Sequence, residues 1–92
     1  LVTRLFTFTG NRLDLNYRTG AAGSMRVEIQ DAAGRVIPGY ALGDCPEIIG
    51  DEISRRVAWK TGPAVGPWAG RSIRLRFVLR DADLFSFRFM DA

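Results

Sequence analysis

Histidine is absent from this chain of 92 residues, cysteine and lysine occur once each, and no apolar run is long. Each shortage removes a class of protein. Without histidine there is no Ser-His-Asp or Cys-His nucleophile and no histidine metal site. The lone Cys45 cannot close an internal disulfide, which removes the disulfide-scaffold class. It also has no base to activate it, so it reads as a structural thiol. The apolar runs are too short for a membrane span or a signal-peptide core, and no membrane partner is expected. The chain begins Leu1-Val2-Thr3 rather than with methionine, which reads as a piece of something longer. Glycines sit singly in turns, with no phosphate-cradling loop, and no segment keeps a helical period.

What is present is arginine. Twelve arginines against one lysine leave a net charge of +3, and they are spread through every segment. A nucleic-acid binder clusters its cations on one element, so no nucleic-acid partner is expected. Hydrophobic residues at 47% and charged residues at 25% are ordinary globular composition. The length allows one domain, residues 1–92, with a modest two-layer core.

Alternation with period two is the dominant pattern. Ile73, Leu75, Phe77 and Leu79 alternate with Arg74, Arg76, Val78 and Arg80, and residues 84–89 repeat the pattern after Asp81-Ala82-Asp83. Such patterning on both sides of a short acidic turn predicts an antiparallel hairpin. Residues 4–9, 13–17, 24–30 and 52–59 read as further strands, with residues 19–23, 38–50 and 61–70 as loops. Asp31-Ala32-Ala33-Gly34 has the composition of a type I turn closing on a left-handed glycine. In the strand 52–59, Ile53, Val57 and Trp59 share the inward phase; Arg55 shares it too, so it snorkels at an edge or marks a bulge. The expected fold is all-β: a small antiparallel β-sandwich of six to eight strands with jelly-roll or immunoglobulin-like topology. Its expected core holds Leu15, Val27, Ile29, Trp59, Phe77, Phe87 and Phe89.

Carboxylates and aromatic rings are the remaining candidates for a site. Asp44, Asp51 and Glu52, with Glu47, lie close together in the irregular middle segment. A glycosidase needs two carboxylates across a cleft, which a domain this small can hardly build, so no catalytic residue is assigned. Oxygen ligands in a loop suit calcium, but their spacing matches no calcium-loop motif. The expectation is therefore no metal and no cofactor, with Asp44 and Asp51 capping turn amides and ordering the loop. Tyr40, after Pro38-Gly39, and Trp68, between Pro67 and Ala69, are the rings to weigh as a sugar-stacking platform; Trp68 reads equally as a plug closing one end of the fold. Arg74, Arg76, Arg80 and Arg88 share the outer phase of the final hairpin; most such stripes are solvated faces, and one this uniform also suits an acidic partner domain.

Several stretches also carry a resemblance. Leu13-Asp14-Leu15-Asn16-Tyr17, then 23–31, Ile37-Pro38-Gly39-Tyr40, Asp44-Cys45, Gly50-Asp51 and Val57-Ala58-Trp59-Lys60 follow in order, and 70–77 and 81–87 close the series. Together they resemble the C-terminal region of bacterial, planctomycete-type proteins of the glycoside hydrolase family 32-like and sialidase-like kind. The resemblance implies an accessory β-sandwich following a five-bladed propeller that holds the catalytic carboxylates, none of which maps onto this chain. It implies an extracellular or periplasmic setting, the parent chain's catalytic domain as partner, and glycan as a second candidate. The function expected is that of a non-catalytic accessory domain. The alternatives are a self-sufficient carbohydrate-binding module and a structural, adhesion-like interaction domain.

Overall fold

Two long strands, β1 (Arg12–Gln30) and β3 (Arg74–Met90), carry the fold in the computed structural model, which describes residues 1–91. They pair antiparallel from Arg12↔Met90 to Gln30↔Arg74. The short strand β2 (Asp51–Arg56) adds to the other edge of β1, giving a three-stranded sheet ordered β2-β1-β3. Two single 3-10 turns, Leu42–Asp44 and Gly66–Trp68, interrupt the loops. The protein is all-β as expected. Three strands in one antiparallel sheet stand in place of the sandwich of six to eight.

The difference has one origin: neither the expected turn at 81–83 nor the expected loop at 19–23 reverses the chain. Asp81-Ala82-Asp83 stays paired with β1, through Arg18↔Asp83 and Thr19↔Ala82, and pairing resumes at Ser24↔Arg80. Asp81 alone faces the four residues Gly20-Ala21-Ala22-Gly23, so the ribbon bends there instead of folding back. Asp81 takes a positive φ of 46°. A Cβ on Gly20 would land on the Asp81 side chain, and one on Gly23 on the Asp81 backbone oxygen. Two missing side chains on β1 therefore make room for the bend in β3.

Along β3 the inward phase shifts twice. It runs through Leu75, Phe77 and Leu79, then Ala82 and Leu84, then Phe87 and Phe89. The first shift is the bend at Asp81. The second is a bulge opposite Asn16–Tyr17, which places the extra residue Phe85 outward at 60% exposure. β2 carries a matching irregularity, since two residues, Ile53 and Ser54, lie between the partners of Leu15 and Tyr17. Ile53, expected inward, is consequently 83% exposed, and the bulge falls two residues before the Arg55-Arg56 position considered for it.

Shorter pairings complete the edges. Residues 1–8 form no named strand, yet run along β3 through Thr3 N–H to Leu75 O (2.9 Å), Phe6 N–H to Ile73 O (3.0 Å) and the return bond from Ile73 N–H (2.9 Å). The turn at 31–34 forms as its composition indicates: Asp31 Oδ1 accepts from the N–H groups of Ala33 and Arg35, both at 2.9 Å, and Gly34 sits at φ 82°. The core collects Leu13, Leu15, Tyr17, Met25, Val27 and Ile29 from β1, Leu75 and Phe77 from β3, and Val57, Trp59 and Val65 from the loops. Trp59 donates its indole N–H to Val27 O at 2.9 Å, which satisfies its one polar group. Phe87 and Phe89 are half-buried at the rim, against Phe6 and Phe8.

Candidate interaction surfaces

Because the ribbon bends, its outer side splits into two faces. On the first, Ser24, Arg26, Glu28 and Gln30 of β1 lie beside Arg80, Val78, Arg76 and Arg74 of β3, and Val2 lies beside Arg76. Directly paired residues of an antiparallel ladder point the same way, so four arginines share this face. Its one strand carboxylate, Glu28, is 4% exposed; it accepts from Gln30 Nε2 at 2.7 Å, and Arg76 Nη1 lies 3.7 Å away. Arg26 reaches the exposed Glu47 at 3.6 Å, while its own Nε is buried without an acceptor. The Arg80 side chain makes no hydrogen bond or ion pair among the described residues. Val2 and Val78 remain exposed among these cations. The result is a cationic face with apolar spots, the composition of an interface rim and core.

Arg88, expected with that group, lies beyond the bend on the second face. There Asp14 is flanked across the ladders by Arg56 and Arg88. Asp14 is only 2% exposed and accepts from Arg12 Nε at 2.9 Å, Arg12 Nη2 at 2.6 Å and Ser54 Oγ at 2.8 Å. Burial raises its pKa, but the bonds from Arg12 and Ser54 outweigh that, and the carboxyl is held below its ordinary value. A hollow of about 150 Å³ beside it is lined by Asn16, Ile53, Ser86, Phe87 and Arg88. Nothing in the residue pattern beyond the i, i+2 spacing of Arg12 and Asp14 on one strand face signals this buried pair.

The acidic middle segment follows expectation at Asp44 and departs from it at Asp51. Asp44 Oδ2 accepts from Ala41 N–H at 3.3 Å and closes the first 3-10 turn. Asp51 caps nothing; it already lies in β2, exposed and paired in register with Arg18. Thr19 does the work expected of it, taking the Gly50 N–H on its hydroxyl at 2.9 Å. Glu52 accepts from Arg55 Nη1 at 2.9 Å and lies 3.1 Å from the Tyr17 hydroxyl, and these two bonds hold its pKa below the ordinary carboxylate range. No group of three or more Cys, Asp or Glu side chains among the described residues is placed to hold a metal ion.

Tyr40 and Trp68 come together with Trp59. The Tyr40 ring meets Trp59 edge-on at 5.2 Å and Trp68 at 5.9 Å, and its hydroxyl donates to Ala64 O at 2.7 Å. Both rings are half-buried, and Arg71 covers Trp68 with its guanidinium 5.5 Å from the ring centre. A hollow of about 220 Å³ opens beside Trp68, lined by Val36, Ile37, Pro38 and Arg71 among others. The Trp68 Nε1 is buried with no acceptor.

These groups supply little for bond-breaking chemistry. The carboxylates with shifted pKa values, Asp14 and Glu52, are both pushed down and stay ionised at neutral pH. Burial raises the Cys45 thiol, which is 2% exposed and therefore neutral. No helix among the described residues is long and apolar enough to cross a membrane. Comparison with protein-family models, with curated proteins and with solved structures finds no match to this chain.

Proposed function

We propose that this chain is a non-catalytic accessory domain of a bacterial glycoside hydrolase, docking through its arginine face onto the catalytic domain of the parent chain. The observation that carries the proposal is the face of Arg26, Arg74, Arg76 and Arg80 with Val2 and Val78 exposed among them. A surface of that kind suits an acidic partner better than a sugar, which needs a concave site with rings presented to it. The sequence resemblance to family 32-like and sialidase-like proteins supports a catalytic domain as the partner in this reading, and an extracellular or periplasmic setting with it.

A second reading, a self-sufficient carbohydrate-binding module, rests on Trp68, whose half-buried ring borders a hollow and whose indole N–H lacks an acceptor. One titration separates the two. Isotope-labelled chain is mixed first with the separately expressed catalytic domain, then with soluble glycans, and amide shifts are followed. The docking reading expects shifts at Arg76, Val78 and Arg80 with the domain and none with glycan. Shifts confined to Trp68, Arg71 and Val36 on adding glycan would replace it with the second reading.

A further inference from the structure

β2 is an edge strand with five of its six residues exposed, and no described residue pairs with its outer side. Its sequence, Asp51-Glu52-Ile53-Ser54-Arg55-Arg56, carries two acids followed by two bases. Laid antiparallel against a second copy of itself about a two-fold axis between Ile53 and Ser54, it sets Asp51 opposite Arg56 and Glu52 opposite Arg55. In a regular strand this register is impossible. Residues five apart point to opposite faces, whereas a two-fold axis normal to the sheet keeps each face on its own side.

The bulge removes that obstacle. Asp51 and Arg56 pair with Arg18 and Asp14 and so share the outer face; Glu52 and Arg55 pair with Tyr17 and Leu15 and share the inner one. Ser54 bonds Asp14 and Ile53 lines the hollow beside it, so both bulge residues lie outward. The facing order is then out, in, out, out, in, out, which reads the same in both directions. Facing matches at every position, and charge is complementary at all four charged ones, with Ile53 opposite Ser54 between them. The side chains of Asp51 and Arg56, moreover, have no hydrogen bond or ion pair among the described residues. Charged residues and a bulge ordinarily keep an edge from pairing at random. Here the same features select one partner.

We infer that β2 is a self-recognition edge, joining two copies of this chain into one continuous six-stranded sheet ordered β3-β1-β2-β2-β1-β3. Two Asp51–Arg56 contacts form across the axis, and the exposed Ile53 of each copy becomes a diagonal neighbour of the other. This goes beyond the accessory-domain proposal and stands without it, since it uses a different surface. The strand is short, so the dimer is weak and shows at high protein concentration.

Sedimentation equilibrium over a wide concentration range, on the chain and on two charge reversals, tests the inference. The unaltered chain is expected to approach twice its monomer mass at the highest concentrations. Asp51→Arg and Arg56→Asp should each weaken self-association about tenfold or more, because each places like charges opposite one another twice. Mixing the two variants should restore a dimer, since each then offers the charge the other lacks. Should Arg56→Asp fail to fold, amide exchange in the unaltered chain gives a second reading: amides of β2 should slow as concentration rises. A monomer at every concentration, reversals without effect, or variants that do not recover on mixing would overturn the inference.

Discussion

Asp14 shows how a single polar side chain can be buried on the wet side of a sheet. Its carboxylate is held by Arg12 and Ser54, with the charge of Arg88 nearby, and these three neighbours replace the water it lost. Its folded-state pKa lies below the unfolded value of about 4, so its contribution to stability is present above that pH and is lost as the pH falls through the depressed value. Asp14→Asn is expected to cost about 1–2 kcal/mol at neutral pH, the lower part of the range for charged hydrogen bonds because Arg12 is itself partly wet. The gap between variant and unaltered chain should narrow as the pH falls through that depressed value, followed by urea unfolding monitored by tryptophan fluorescence at neutral and acid pH. An equal cost at both pH values would mean that lost packing, not the ion pair, is responsible. Alternation placed Asp14 on the polar phase correctly. It carried no information on the depth of burial there, which depends on cross-strand neighbours contributed by β2 and β3.

At the scale of elements, the bend opposite Asp81 decides the architecture. Gly23 is the more demanding of its two glycines, because a Cβ there meets Asp81 backbone, while at Gly20 it meets a side chain that can swing away. Gly23→Ala is therefore expected to cost about 1–3 kcal/mol in chemical denaturation and Gly20→Ala clearly less. Equal costs would remove the close backbone approach from the account. Strand phases were legible wherever the ladder is regular: Val27, Ile29, Leu75 and Phe77 are buried and Arg26, Arg74 and Arg76 point outward, as period two requires. Pairing was not legible. Residues 84–89 could alternate equally well against 73–79 or against 13–17, and Asp81-Ala82-Asp83 has turn composition in either case. The choice fell to long-range pairing, which spares two tight reversals and keeps both ladders nearly whole. Ile53 was misplaced for a similar reason, since a bulge changes phase without changing composition.

At the scale of the molecule, the bend leaves a cationic face, a face organised around Asp14 and a free edge at β2. The arginine stripe was visible in the sequence through Arg74, Arg76 and Arg80; that Arg26 joins it and Arg88 leaves it followed only from the register. The docking proposal requires that face to be covered in the parent protein, and anything that binds the folded state alone raises its melting temperature. The most direct measurement is calorimetric melting of this domain, alone and joined to the catalytic domain, with and without the pair of reversals Arg76→Glu and Arg80→Glu. The account expects the joined domain to melt several degrees above the isolated one, and the reversals to remove that gain while leaving the isolated domain's melting nearly unchanged. A domain that melts at the same temperature alone and joined, indifferent to both reversals, would contradict it.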